Sequence, residues 1–239
     1  VILPTYNERD NIVDLICELD LYFRRHLEDR VEFIIVDDDS EDKTWEAAQD
    51  YFSSEDRVKV IRRVTKRCLA SAISEGVKLA KGDIICWLDA DFSMPPYKLA
   101  ELVQKVCEGY DIAVGSRFTE GGKDIRGPAD SWLAVVLSRA MNYFISFTLG
   151  RPFKDYTSGF VATKRRIFDE GAQIKGDYGE YFIEFIYNAR KRGYRIIEIP
   201  YYCLPRRWGV SKTCINLADY IKKGYKYILL TLRLKIKRC

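Results

Sequence analysis

From Val1 to Gly115 the chain alternates short apolar runs with amphipathic stretches, and no other feature narrows its possible architectures as much. The apolar runs are Val1–Leu3, Val31–Val36, Val58–Arg62, Ile84–Leu88 and Ile112–Gly115. Helical periodicity fills the gaps, around Asn11–Leu27, Thr44–Phe52, Ala70–Ala80 and Pro96–Glu108. Strands that alternate with helices form a mostly parallel sheet flanked by helices, an α/β fold. In such sheets ligands sit beyond the carboxyl ends of the strands. Four of those ends are polar here: Pro4-Thr5-Tyr6-Asn7-Glu8, Asp37-Asp38-Asp39-Ser40, Asp89-Ala90-Asp91 and Gly115-Ser116-Arg117. One polar turn is ordinary, but four on the same edge of a sheet point to a functional crevice.

The run ending at Leu88 delivers two carboxylates, Asp89 and Asp91, one residue apart. Mg2+ and Mn2+ favour oxygen ligands, keep several waters and bridge to substrate phosphates, so one or two carboxylates in a crevice suffice to hold them. A solvated aspartate pair in a surface turn is the alternative for the motif taken alone. Neither Gly-x-Gly-x-x-Gly nor Gly-x-x-x-x-Gly-Lys-Ser/Thr follows the first strand, so a dinucleotide or a P-loop phosphate has no seat. Metal and side chains must hold the phosphates instead.

At 239 residues, 47% of them hydrophobic and 31% charged, the chain is long enough for a sizeable core. Lys+Arg 39 against Asp+Glu 35 is too even to imply nucleic acid. Seven cysteines without Cys-x-x-Cys spacing and a single histidine, His26, exclude a zinc cluster and fit a reducing compartment. Val1-Ile2-Leu3 already reads as strand, so the chain is expected to start inside its first element. No run reaches the ~18 apolar residues of a membrane-spanning helix.

In order along the chain, Pro4-Thr5-Tyr6-Asn7-Glu8, Val36-Asp37-Asp38-Asp39-Ser40, Asp89-Ala90-Asp91, Gly115-Ser116-Arg117, Asp155-Tyr156-Thr157-Ser158-Gly159-Phe160 and Arg206-Arg207-Trp208-Gly209-Val210-Ser211-Lys212 resemble the family 2 glycosyltransferases. Within that family the likeness is to the dolichyl-phosphate mannose synthase group. The resemblance implies a single-domain nucleotide-sugar-binding fold of the GT-A type, covering residues 1–213. It also implies inverting transfer of a hexose from a nucleoside diphosphate to a polyprenyl (dolichyl or undecaprenyl) phosphate. GDP-mannose is the first expected donor, with UDP-glucose or another UDP-sugar second. By the same resemblance Pro4, Tyr6 and Glu8 line the nucleoside pocket, Asp38 bonds the base and Arg67 approaches the nucleotide. Asp89 and Asp91 organise Mg2+ or Mn2+ and the diphosphate, while Arg117, Arg206, Ser211 and Lys212 surround the acceptor phosphate. Asp91, Arg117 and Arg206 form the expected catalytic set.

Physical chemistry gives these roles a reason. A ring such as Tyr6 can stack on a base or simply pack in the core, and Asp38 can accept from a base N–H. Asp37 or Asp39 can instead shape the turn before Thr44. A cation at Asp89 and Asp91 stabilises charge on the departing diphosphate. A phosphate monoester with a second pKa near ~6 is already ionised and needs no general base, only positive charge. Arginine's planar fork suits it; Arg207 alone reads as a surface ion-pair partner. Asp155 has three readings: it orients acceptor or sugar, serves as base for a hydroxyl acceptor, or caps a turn.

The chain departs from the subgroup at Ser93, where a glutamine is common, at Cys68 and Ala70 in place of glycines, and at Ala134-Val135 in place of a basic residue. Arg126 or Arg139 can compensate for the last. Leu204 replaces the glutamine of the Gln-x-x-Arg-Trp motif of processive relatives, which argues against a polysaccharide synthase. Two rivals remain: a same-fold transferase acting on a sugar hydroxyl, and a non-catalytic nucleotide-sugar-binding protein.

Trp132–Leu137 and Met141–Leu149 form an apolar helical stretch, by default buried but able to lie on a bilayer. Residues 214–239 form a basic amphipathic C-terminal segment, with apolar positions from Leu217 to Leu232 at helical spacing and lysines opposite. Thr231–Lys237 alternates with period two and fits either a strand or a frayed end. The expected location is peripheral, on the cytoplasmic side of a membrane.

Overall fold

The computed structural model describes residues 1–26, 31–65, 68–126, 132–150, 153–209 and 217–236. Its central sheet has seven strands: β1 (Ile2–Thr5), β2 (Phe33–Asp37), β3 (Val58–Arg62), β4 (Ile84–Trp87), β5 (Ile112–Ser116), β7 (Val161–Lys164) and β8 (Ile196–Pro200). They lie in the order β3-β2-β1-β4-β7-β5-β8, with β7 antiparallel to both neighbours and every other pairing parallel. Two further strands, β6 (Lys123–Asp124) and β9 (Tyr202–Cys203), pair in parallel beside the carboxyl end of β5.

The helices are α1 (Arg9–His26), α2 (Thr44–Tyr51), α3 (Leu69–Leu79), α4 (Pro96–Cys107), α5 (Trp132–Leu149), α6 (Arg166–Asp169), α7 (Glu180–Lys191) and α8 (Leu217–Ile236). Strand side chains alternate between faces, so neighbouring residues enter different cores. Ile2, Ile34, Val36, Ile85, Trp87 and Val114 pack against α3, α5, α7 and α8. Leu3, Phe33, Ile35, Cys86 and Ala113 pack against α1, α2 and α4. Burial on both sides makes β2 and β5 apolar at nearly every position, as parallel strands between helix layers must be. At Gly76 of α3 a Cβ would lie 2.4 Å from Ile2 Cγ2, so only glycine lets this helix approach β1 so closely.

The parallel α/β reading holds for the first five strands and four helices. Over 231–236 the strand or frayed end is replaced by helix: α8 continues to Ile236, its inward Leu234 is buried against α7, where Tyr187 Oη donates to the Leu234 carbonyl at 2.9 Å, and Lys237 lies outside the described residues. Among the described residues no helix is long and apolar enough to cross a membrane.

Candidate functional site

The carboxyl ends of β1 and β2 are stitched by short polar side chains. Thr5 Oγ1 donates to Asp37 Oδ2 at 2.8 Å, and Asp37 Oδ1 accepts from the Ser40 N–H at 2.8 Å. Asn7, in left-handed backbone at φ 53°, donates its N–H to Ser40 Oγ and accepts from the Glu41 N–H. Asp37 is fully buried and builds this turn. Asp38 points elsewhere: Oδ1 accepts from Arg63 Nε at 2.6 Å and from Arg63 Nη2, while Oδ2 accepts from the Cys68 N–H at 2.8 Å. Asp39 pairs with Arg62, whose guanidinium lies 4.2 Å over the Trp45 ring.

Pro4 and Tyr6 are half-buried on the same edge, and the Tyr6 hydroxyl donates to Glu41 Oε1 at 3.3 Å. Glu8 is buried; its carbonyl caps α1 by accepting from the Asn11 and Ile12 N–H groups. Its carboxylate faces the crevice, where Oε2 accepts from Asn11 Nδ2 and Oε1 from Arg206 Nη1 at 2.7 Å.

After β4 the chain turns sharply, with Phe92 at φ 65°. Asp91 Oδ1 accepts from the Ser93 N–H at 2.9 Å, and Asp91 Oδ2 meets Arg206 Nη2 at 2.8 Å. Two backbone bonds clip the 204–207 loop to this turn, from Leu204 N–H to the Ser93 carbonyl and from Arg207 N–H to the Asp91 carbonyl. Arg206 thus bridges Glu8 and Asp91, two strand ends joined by a third loop. Burial alone would lower its pKa, but Asp91 and Glu8 outweigh that and hold the guanidinium above its ordinary value. Arg207 stacks 3.5 Å over Phe92 and pairs with Glu18, the surface role its sequence context suggests.

Arg117 follows β5 and is buried. Asp155, fully buried, grips it: Oδ2 accepts from the Arg117 backbone N–H and Nε, both at 2.9 Å, and Oδ1 accepts from Nη2 at 2.8 Å. Nη2 also reaches Thr157 Oγ1 at 2.9 Å, and Nη1 lies 3.8 Å from Asp124 Oδ2. Asp124 pairs with Arg126 on its other side, Nη2 to Oδ2 at 2.6 Å. Gly122 permits this turn, since a Cβ there would stand 2.5 Å from the Ser116 carbonyl oxygen. Of the residues singled out in the sequence, Glu8, Asp91, Arg117 and Arg206 all bear electrostatically on Asp89, while Arg67, Ser211 and Lys212 lie outside the described residues.

Asp89 is open to solvent on one side, yet protein crowds its carboxylate. Burial, the charge of Asp91 and that of Glu8 push its pKa up to about 7, against the pull of Arg206 and Arg117. Three carboxylates thus face one bridging guanidinium, an excess of negative charge made only of oxygen donors. Among the described residues no three His, Cys, Asp or Glu groups could enclose an ion by themselves. The pair fits Mg2+ or Mn2+ completed by water and phosphate oxygens.

This shift has a measurable consequence. Between the ordinary carboxylate range and about 7, the folded chain keeps a proton on Asp89 that the unfolded chain has lost. Asp89 therefore subtracts stability as pH rises through that window. Thermal melts in chelator are expected to lose a few degrees between about pH 5 and pH 8 relative to Asp89→Asn, and Mn2+ to restore them at the upper end. Parallel pH profiles for the two proteins would remove the assigned crowding.

Sequence reasoning missed Arg63, Asp124 as a buried counter-ion, and the pairing of Arg117 with Asp155. Arg63 had a signal, because it directly follows β3, the one strand end passed over. The pairing of Arg117 with Asp155 had none, since the two stand far apart in the chain, and Asp124, two residues from Arg126, reads as an ordinary surface ion pair until the fold buries it.

Residues 1–172 match the family described as glycosyl transferase family 2. The dolichol-phosphate mannosyltransferase of Pyrococcus furiosus is 35% identical over 231 residues, which cover 95% of this chain and 62% of that protein. The polyprenol monophosphomannose synthase of Mycolicibacterium smegmatis is 33% identical over 218 residues, 89% of this chain and 79% of that one. The chain thus spans less than two thirds of the length of the Pyrococcus relative. Among solved structures, glucosyl-3-phosphoglycerate synthase from Mycobacterium tuberculosis with Mn2+, UDP and glucosyl-3-phosphoglycerate matches at a TM-score of 0.67 and 18% identity, covering 98% of this chain and 78% of that one. At that identity the likeness concerns the fold alone.

Proposed function

The chain belongs to glycosyl transferase family 2, and from that premise we propose that it is a metal-dependent inverting transferase moving mannose from GDP-mannose to a dolichyl-type polyprenyl phosphate. The observation that carries this reading is Arg206, a guanidinium from a late loop, set between Asp91 and Glu8 at 2.8 and 2.7 Å. A carboxylate pair able to hold a cation, with a guanidinium in contact, puts both signs of charge in one crevice, as a transferase that must bring two anions together requires.

Asp89 and Asp91 would hold a divalent cation, which would supply electrostatic stabilisation of charge on the diphosphate leaving group. Around it the side chains bind and orient. Pro4, Tyr6 and Glu8 edge the nucleoside, with Asp38 held by Arg63 to accept from the base, and Arg67 toward the nucleotide. Arg117 and Arg206, with Ser211 and Lys212, gather the acceptor phosphate and hold it in line behind the anomeric carbon. Asp155 has both oxygens committed to Arg117, which supports a nucleophile that arrives already ionised over a hydroxyl needing a base.

The acceptor's lipid requires a surface. Val136, Leu137, Tyr143 and Phe147 are exposed along α5, and Tyr225, Ile228, Leu232 and Ile236 along α8, which packs beside it. Lys226, Arg233 and Lys235 stand exposed on α8, a combination suited to anionic lipid headgroups. We place residues 1–213 as the catalytic unit and 214–239 as its membrane-surface segment. Free thiols at Cys17, Cys68, Cys86, Cys107 and Cys203 suit the cytoplasmic side.

With labelled nucleotide sugars, a short polyprenyl phosphate and Mn2+, label from GDP-mannose is expected in the organic phase, and chelator is expected to abolish its appearance. Label released only into water would refute the acceptor, and preference for a UDP-sugar would refute the donor.

A further inference from the structure

Asn142 occupies an inward position of α5 with 3% of its surface exposed, on a helix whose other inward residues include Ile145 and Leu149. Its Nδ2 donates to Thr157 Oγ1 at 2.6 Å and to the Ser138 carbonyl at 3.1 Å, while its Oδ1 is buried with no hydrogen-bond partner. An amide in this place forgoes the packing a leucine would give and leaves a polar atom unsatisfied, so fold stability alone does not account for it.

What the amide does make is a chain of contacts. Thr157 Oγ1 accepts from both Asn142 Nδ2 and Arg117 Nη2, so two hydrogen bonds run from α5 to the guanidinium. Asp155 fixes Nε and one side of Nη2, and Thr157 fixes the other. Nη1, at 3.8 Å from Asp124, lies beyond hydrogen-bond distance of that carboxylate.

We infer that Asn142 is a positioning residue which, through Thr157, aims Arg117 at the anionic acceptor and ties that aim to the placement of helix α5. The opposite side of α5 carries the exposed Tyr143 and Phe147, 6.5 Å apart and stacked, so the element that sets the guanidinium is also one that faces outward. This rests on the acceptor-phosphate reading of Arg117 given above. The donor is held at other strand ends and lies outside the chain of contacts.

The test uses the full chain with Mn2+, the best donor of the panel and a short polyprenyl phosphate. Asn142→Leu and Thr157→Val are each expected to raise KM for the lipid phosphate about tenfold, the scale of one lost hydrogen bond, while KM for the donor stays within twofold. The double variant is expected to match the single ones, because both remove the same link, and Thr157→Ser to keep most of the affinity because the hydroxyl remains. Calorimetric binding of the same lipid phosphate, without donor, gives a readout that does not depend on transfer. Additive losses, or equal rises in both KM values, would mean a merely structural role and overturn the inference, as would unchanged KM values. If the wild type binds the lipid phosphate but transfers nothing to it, the function above fails, and weaker binding by Asn142→Leu still supports the positioning. If the wild type does not bind it, both fail.

Discussion

Asp91→Asn is expected to leave a folded protein whose kcat for sugar transfer is lower by about a thousandfold, the scale set by losing one preorganised electrostatic element. Shape is nearly kept, since the amide oxygen can still accept from the Ser93 N–H that fixes the turn at Phe92. Charge is not kept. The second oxygen of Asp91 faces Arg206 Nη2 at 2.8 Å, and an amide there either presents N–H groups to a guanidinium or turns away from it. Two functions fall together: a cation would lose one of its two carboxylates, and Arg206 would keep an ion pair at contact distance only with Glu8.

Asp89→Asn is expected to cost less at neutral pH. With its pKa near 7, Asp89 carries only part of a negative charge there until a cation binds, so Asp91 supplies more of the standing field. Transfer rates across a Mn2+ series separate the cases: Asp89→Asn should be largely rescued at high Mn2+ and Asp91→Asn should not. An Asp91→Asn enzyme within tenfold of wild type would show that the cleft does not work by countercharge.

The contrast between these two aspartates could not be read from the sequence, although their presence could. An apolar run ending in Asp-Ala-Asp is visible because β4 is buried by helices on both sides and ends at a polar crevice. Which carboxylate meets a guanidinium depends on the loop at residue 206, more than a hundred positions away. The same division runs through the fold. Strands β1 to β5 were legible because layered burial makes them apolar runs between striped helices such as α4, with Leu99, Leu102, Val103 and Val106 inward. Helix α7 carries the same kind of stripe, with Tyr181, Phe182, Phe185, Ile186 and Ala189 buried and Asn188 and Lys191 exposed, so its signal was present and passed unread. Strand β7 has only four residues, two of them Ala162 and Thr163, and its antiparallel entry between β4 and β5 breaks the alternation that revealed the others. In α8, Leu234 faces the core while Leu232 and Ile236 face outward, and apolar residues on opposite sides of one helix mimic the period of a strand. At the second strand end, the sequence reading assigned Asp38 to the base and left the turn to Asp37 or Asp39. The fold separates them, Asp37 to the turn, Asp38 to Arg63 and Asp39 to Arg62.

Asp155→Ala is expected to destabilise the protein by about 3–5 kcal/mol, the usual result of stripping the partner from a buried charge. Asp155 is wholly buried, Arg117 nearly so, and the carboxylate satisfies three donors of Arg117 at 2.8–2.9 Å, one of them its backbone N–H. Alanine leaves the guanidinium with Thr157 and a carboxylate 3.8 Å away, too far for a hydrogen bond. For a chain of this length that loss corresponds to a fall in Tm of about 10 °C. On the proposed reading the pair serves the chemistry, not the fold. Replacing both charges, as Arg117→Met with Asp155→Leu, is expected to recover most of the lost stability, because well-packed apolar groups can match a buried ion pair. Transfer is expected to stay lost, since the guanidinium proposed to bind the acceptor phosphate is gone. Stability that returns without activity assigns the pair to chemistry. A double variant no more stable than Asp155→Ala, or one that still transfers sugar, would assign it to architecture and take Arg117 out of the acceptor site.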